Sequence, residues 1–393
     1  MIISSLYIAW HYVVFNKVRT ATLVACITLI AFLPIALQLV LTESERLLQS
    51  RATSTPLLVG VRGSALDLVM NSLYFDDEIP EIFTMQAADE IGDTGLAYAI
   101  PLYIRFQARK QPIVGTTLDY FDFRNLQIAQ GRMLAMLGEC VIGADVADEY
   151  GLGPGDSIVS SPETLFDLAG IYPLKMTITG ILQRNHTPDD RAVFVDLKTA
   201  WIIEGLGHGH EDLNKTRDRS VILKRSEGSV TANAKLFQYT EITEENMGSF
   251  HFHGDAAIYP ITAVMAIPND AKAGTLLRGR YLENQQFQIV RPTEVIEGLL
   301  ENIFRIKSVI DAVIAIVGFA TVLAIILVFA LSVRLRQREL MTIFKLGCSR
   351  MTAVRLIVAE IIIIVLMSGI LSAGLLYVVQ ANADTLVRML ILS

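Results

Sequence analysis

The sequence predicts a membrane α-helical protein, with three spans and an interfacial N-terminal helix, that carries a large α/β extracytoplasmic domain. Three observations carry that prediction. The 393 residues are 52% hydrophobic and 19% charged, with a mean hydropathy of +0.46, whereas an ordinary soluble domain holds about 25% charged residues. Three stretches are apolar enough and long enough to cross a hydrocarbon layer about 30 Å thick, which takes roughly 20 residues of helix. Basic residues crowd the short flanks of those stretches, and acids crowd one long segment between the first two.

Residues 1–19 come first. Ile2, Ile3, Leu6, Tyr7, Trp10, Val13 and Val14 recur at helical spacing. Trp and Tyr favour the headgroup boundary, so the segment reads as a helix lying on the interface, anchored by Trp10, Tyr12, Lys17 and Arg19. Residues 20–42 form the first span: they carry no charge, and Pro34 is tolerated where neighbouring helices re-satisfy the freed carbonyl. No small-x-small cleavage pattern follows, so this is expected to be an uncleaved anchor.

Residues 43–310 are the expected outer domain. They hold 36 of the 40 acids and 24 of the 33 bases, enough chain for a core that needs no disulfide staples. Residues 65–73 and 271–277 read as helices. Residues 56–61, 113–117, 175–182, 192–195, 220–224 and 261–267 read as short strands bounded by Gly, Pro or charge. An α/β lobe at each end with a β-rich insertion at about 119–205 fits this pattern. Residues 294–309 read as a helix running into the second span, 312–333, which would join domain and membrane rigidly. A loop at 334–352 leads to the third span, 353–380, and residues 381–393 are too few to cross again, so they form an outer tail.

Orientation follows from the flanks, because Lys and Arg in short loops stay cytoplasmic. Lys17 and Arg19 precede the first span, and Arg334, Arg336, Arg338, Lys345 and Arg350 stand between the second and third, with Arg355 at the start of the third. The N-terminus is therefore expected inside and the long acidic segment outside.

The net charge of −7 excludes a generally basic nucleic-acid surface. Cys26, Cys140 and Cys348 are too scattered for a disulfide framework or thiolate cage. No G-x-x-x-x-G-K-[ST] phosphate loop, G-x-S-x-G elbow, H-E-x-x-H or C-x-x-C occurs, so catalysis has no visible home here and ATP would enter only through a partner.

In the cytoplasmic loop a helix from about Arg336 to Leu346 would place Leu340, Ile343 and Phe344 on one face, beside Arg338, Glu339 and Lys345, with Gly347 as a stop. Such a helix suits docking in a partner's groove; a plain basic anchor loop is the alternative. The run Arg336, Arg338, Glu339, Leu340, Ile343, Leu346, Gly347, Ser349, Arg350 matches R-x-R-E-h-x-x-h-x-x-h-G-h-S-R. With Ala9-Trp10-His11-Tyr12 before Asn16-Lys17-Val18-Arg19-Thr20, and the run from Val141 to Asp156 (VIGADVADEYGLGPGD), the chain resembles the FtsX-like permeases of ABC transporters, the superfamily that includes MacB and the lipoprotein-releasing permeases.

That resemblance implies a permease homodimer in a bacterial inner membrane, driven by two copies of a separate cytoplasmic ABC ATPase that receives the loop helix, with a periplasmic substrate-handling protein as a further partner. The superfamily usually has four spans, and this sequence shows three. Its members move lipoproteins, peptides, drugs or haem, or act mechanically without transport, and the residues leave those options open. A membrane-anchored sensor without an ATPase is a further alternative.

Two His-x-His pairs fall in the outer segment: His208-Gly-His210-Glu211 and His251-Phe-His253. In extended chain, residues i and i+2 share a face, so each pair can offer two imidazoles to a borderline cation such as Zn²⁺. Solvated polar loops are the competing explanation. Zinc-linked transport is thus one expectation for the cargo.

Overall fold

The computed structural model describes residues 2–161, 173–209, 222–226, 229–232, 240–335 and 350–382. The chain divides into two compact units, one from Met1–Arg46 and Leu300–Ile391, the other from Leu47–Leu299. In chain order the helices are α1 (Ile2–Phe15), α2 (Lys17–Thr53), α3 (Ala65–Val69), α4 (Gln86–Asp93), α5 (Leu118–Arg124), α6 (Ala144–Tyr150), α7 (Leu197–Ile203), α8 (Ala271–Tyr281), α9 (Pro292–Leu335) and α10 (Arg350–Ala381). The strands are β1 (Leu57–Val61), β2 (Phe83–Thr84), β3 (Ala97–Ala108), β4 (Gln111–Thr116), β5 (Ile128–Gly131), β6 (Glu139–Ile142), β7 (Ser157–Val159), β8 (Lys175–Leu182), β9 (Val193–Asp196), β10 (Gly207–Gly209), β11 (Ile222–Ser226), β12 (Ser229–Ala232), β13 (Phe250–Phe252), β14 (Pro260–Ile261), β15 (Ala263–Pro268) and β16 (Phe287–Val290).

The helical unit holds the apolar stretches. α2, α9 and α10 are each long and apolar enough to cross a membrane. Of the apolar residues of α1, Ala9 and Val13 are buried together with Leu23 and Val24 of α2 and Ala359, Ile363 and Ile364 of α10. Leu6, Tyr7, Trp10 and Val14 stay exposed. Between α2 and α10 the contact is polar as well as apolar. Ser368 Oγ donates to the Val24 carbonyl at 3.4 Å, Thr28 Oγ1 donates to the Ser368 carbonyl at 3.5 Å, and Ser372 Oγ donates to the Thr28 carbonyl at 3.4 Å. Small hydroxyl side chains let two helices approach closely and bond across the seam.

The other unit is built on a ten-stranded mixed sheet in the order β16-β1-β15-β3-β4-β9-β6-β8-β5, with β7 also on β8. Its central strands alternate between two buried faces. Leu57, Val59, Ile113, Val193 and Val195 join the core formed with α4, α6, α7 and α8. Leu58, Val114 and Phe194, next to them in sequence, are equally buried and so point to the opposite face. There Tyr120 and Phe121 of α5, with Phe75, close around the Phe194 ring at centroid distances of 5.3–6.3 Å. A sheet covered on both faces reads as continuous apolar runs, and the short strands do.

Residues 119–205 add helices as well as strands, and their strands extend this same sheet. The helix expected at 294–309 continues through the second apolar stretch as α9. The expected strand 56–61 is β1, 175–182 is β8, and 261–267 splits into β14 and β15. A missed strand, β3, lies in the middle of the sheet with Pro101 opposite Val264. The loop motif at 336–349 and the tail from residue 383 lie outside the described residues.

Candidate functional site

Three arrangements in the two units carry polar chemistry. In the helical unit, Arg19 of α2 pairs with Glu360 of α10 at 2.6 Å and donates to the Tyr12 hydroxyl of α1 at 3.4 Å, its guanidinium lying over the Tyr12 ring. Glu360 is buried, and a carboxylate enclosed at the end of an apolar helix needs such a partner. Of the four expected interface residues, Tyr12 and Arg19 thus tie α1, α2 and α10 together, while Trp10 and Lys17 remain exposed.

The second arrangement belongs to the sheet unit, and no sequence motif marks its residues. Arg51, in the last turn of α2, forms a two-pronged pair with Asp189, Nη1 to Oδ2 at 2.6 Å and Nη2 to Oδ1 at 2.8 Å. Its Nη2 also donates to the Tyr120 hydroxyl at 2.7 Å, which donates in turn to Asp189 Oδ1 at 2.8 Å. Arg51 Nε reaches the Leu73 carbonyl at 3.1 Å. Arg51, Asp189 and Tyr120 are all buried, so every charge and donor here is spent inside protein.

Burial by itself would raise the Asp189 carboxyl; the Arg51 charge and its hydrogen bonds win and hold it below the ordinary carboxylate range. Arg124 of α5 sits close by, donating to Ser54 Oγ and Thr55 Oγ1 at 2.8 and 2.7 Å. Burial and the neighbouring Arg51 charge push it down to about 10.

Glycine makes the clamp possible. Gly143, the residue before α6, lies so close to the Pro188–Arg191 turn that a Cβ there would stand 2.2 Å from the Asp190 carbonyl oxygen and 2.4 Å from that of Asp189. The Asp190 side chain accepts from the backbone N–H groups of Asn185 and His186, which fixes the loop that presents Asp189. An arginine in the turn that ends a long helix and an Asp-Asp-Arg run before a strand were the available signals, but they stand 138 residues apart.

The third arrangement is the histidine region. β10 and β13 form a separate antiparallel two-stranded ladder in which Gly207 opposes Phe252, His208 opposes His251, and Gly209 opposes Phe250. A Cβ on Gly207 would meet the Phe252 ring at 2.6 Å, and one on Gly209 the Phe250 ring at 2.7 Å. The phenyl rings therefore cover the glycines on the face that packs against the core. His251 and His253 have ring centroids 4.9 Å apart, nearly perpendicular, and His251 Nδ1 lies 3.0 Å from the Ser249 carbonyl oxygen. Among the described residues no three His, Cys, Asp or Glu side chains already form a metal cage. The side chain of His208, and His210 and Glu211 altogether, lie outside the description. The same holds for Arg336, Arg338, Glu339, Leu340, Ile343, Phe344 and Gly347 of the loop.

Helices fit to span a bilayer, in one chain with a broad two-faced α/β sheet unit, define a membrane protein with a folded extramembrane domain. Residues 23–235, more than half of the chain, match the family described as the MacB-like periplasmic core domain. The chain belongs to that family, the MacB/FtsX-like ABC permeases, and is a transport-type membrane component with an extracytoplasmic domain. Among solved structures, the periplasmic region of MacB from Actinobacillus actinomycetemcomitans is 12% identical, covering 65% of this chain and 98% of that one, with a TM-score of 0.35. The extracellular domain of the noncanonic ABC-type transporter YknZ from Gram-positive bacteria is also 12% identical, covering 60% and 98%, with a TM-score of 0.32. Comparison with curated proteins gives no match.

Proposed function

We propose that the chain is the transmembrane permease subunit of an ABC transporter, working as a homodimer with two copies of a separate cytoplasmic ATPase and converting their nucleotide-driven closure into movement of the extracytoplasmic domain. The family match over residues 23–235 carries this reading. In support, α2 and α9 each contribute residues to both units, and in the sheet unit the end of α2 is held by the Arg51–Asp189 pair. A helix that cannot slip at its end transmits displacement rather than absorbing it.

In this reading the ATPase receives the 334–352 segment through Leu340, Ile343 and Phe344, with Arg336, Arg338 and Glu339 beside them and Gly347 ending the helix. The protein lies in a bacterial inner membrane with its N-terminus cytoplasmic, and Trp10, Tyr12, Lys17 and Arg19 hold α1 at the headgroup level. ATP is hydrolysed by the partner alone. Copurification tests it: Phe344→Asp abolishes recovery of the ATPase while leaving the protein in the membrane, and recovery at wild-type yield refutes the docking face. For cargo, a second reading, zinc-linked transport, is favoured over lipoprotein, peptide, drug or haem by one observation, the pairing of His208 with His251.

A further inference from the structure

We infer that a cavity beside an irregular stretch of β3 binds a small organic ammonium, an apolar body carrying a primary amine. The cavity lies wholly in the sheet unit and stands apart from the permease reading. It holds about 250 Å³ and is walled by Phe75, Ile79, Phe106 and Pro112, with polar atoms from Asn71, Asp76, Asp77 and Ser161. Two departures from regular backbone shape it. In the β3–β4 ladder Ile104 opposes Val114 and Gln107 opposes Pro112, so Arg105 and Phe106 together face Ile113 alone, a bulge of the kind that re-aims side chains. On the other wall the chain leaves α3 through one turn of π-helix, Met70–Tyr74, and Phe75 follows at φ of 62°, a left-handed conformation that bulky residues rarely adopt. Bulges and single π-turns are both frequent at functional sites.

The Asn71 amide points to the chemistry. Its Nδ2 donates to the Asp76 carbonyl at 2.9 Å and to the Ile104 carbonyl at 3.4 Å. That fixes the amide, since the opposite orientation would set Oδ1 against two carbonyl oxygens. Asn71 is 1% exposed, and its Oδ1 accepts no hydrogen bond from the protein. Buried acceptors are nearly always paired. One left open beside a cavity calls for a donor from outside the chain.

The other polar groups ask for the same thing. Arg105 is held by Glu204 at 3.0 Å, and the Gln107 amide donates to Asp77 Oδ1 at 2.7 Å, so the donors that line the cavity already have partners. The carboxylates of Asp76, half-buried, and Asp77, exposed at the rim, form no ion pair among the described residues. The cavity is thus rich in acceptors, carries negative charge and is walled by carbon. Its complement is a cation with several N–H donors on an apolar body. A primary ammonium brings three donors, and its charge strengthens each bond to a carboxylate. The volume falls just below the range of about 300–1,000 Å³ that encloses drug-sized ligands, so the occupant is small.

The test uses the full chain in detergent, titrated by calorimetry against a detergent blank with 2-phenylethylamine and, separately, with 3-phenylpropionate, a carboxylate of similar size. The wild type is expected to bind about one equivalent of the amine and none of the carboxylate. Asp76→Asn/Asp77→Asn keeps both side-chain shapes and should weaken amine binding at least about 10-fold, the loss expected when bonds to a charged group go. Ser161→Phe, which fills the cavity, should abolish binding, and Asp93→Asn, an exposed carboxylate elsewhere on the unit, should leave it unchanged. Amine heat no greater than the blank, equal binding of 3-phenylpropionate, or undiminished binding by Asp76→Asn/Asp77→Asn each overturns the site. Because the comparison of amine with carboxylate uses unmutated chain, a variant that fails to fold cannot hide a negative result.

Discussion

Replacing Asp189 by Asn tests whether the end of α2 is held by charge. The change removes the only formal negative charge described in contact with Arg51 and keeps the shape of the side chain. Arg51 would then lie buried with the Leu73 carbonyl and Tyr120 hydroxyl as neutral partners and with a second guanidinium, Arg124, close enough to depress its own pKa. Removing one partner of a buried pair costs about 3–5 kcal/mol, because the remaining charge is stranded. At about 2–4 °C per kcal/mol for a unit of this size, the sheet unit should lose about 6–20 °C of thermal stability.

The pH dependence has a fixed sign. The folded Asp189 carboxyl titrates below its ordinary value. The pair's stabilisation is therefore complete above the unfolded carboxylate value, about 3.9, and drains away as pH falls through the lower folded value. Asp189→Asn should lack that part of the acid-induced loss. Pulse proteolysis of the full chain in detergent, followed against temperature and pH, reads both effects. A variant within about 1 kcal/mol of wild type refutes the argument, and a double Arg51→Met/Asp189→Leu chain closer to wild type than either single change would show that stranded charge, not lost packing, is the cause.

Three more expectations follow from the same geometry. Gly143→Ala forces a methyl into the Asp189 and Asp190 carbonyls and should cost about 1–3 kcal/mol, read in the same proteolysis assay. Lys110→Gly should stabilise by about 1 kcal/mol, since Lys110 has φ of 66° in the two-residue turn between β3 and β4, a conformation glycine adopts without the Cβ penalty; a lower thermal midpoint would contradict it. Glu360→Gln should weaken the association of α1, α2 and α10 by about 1.5–3 kcal/mol in denaturing-detergent titrations, and exchanging the two charges, Arg19→Glu with Glu360→Arg, should recover part of it.

What could be seen in the sequence tracks the range of the interaction. Uncharged runs declare α2, α9 and α10 because a bilayer-length helix satisfies its own backbone. β8 and β4 announce themselves by local apolar runs. β3 did not, because Pro101 argues against a central strand; the sheet accommodates it opposite Val264, and Thr116 Oγ1 bonds the Pro101 carbonyl at 3.0 Å. The strand order was out of reach, since β1 pairs with β15 and β16 from the far end of the domain. The clamp was invisible for the same reason, Arg51 and Asp189 being ordinary charged residues until the fold joins them. Spacing exposed the histidine pairs; only the ladder register shows that His208 and His251 face each other across two strands.

The division of labour in that ladder has an evolutionary consequence. Its strands stand outside the ten-stranded sheet, held to the core through the Phe250 and Phe252 rings, so a replacement at the exposed His253 should cost the fold little. Selection can rewrite the recognition chemistry on the outward side, from imidazole to carboxylate to hydroxyl, while the glycine and phenylalanine side stays constant. One scaffold can in this way serve descendants that handle different substances without first having to be rebuilt.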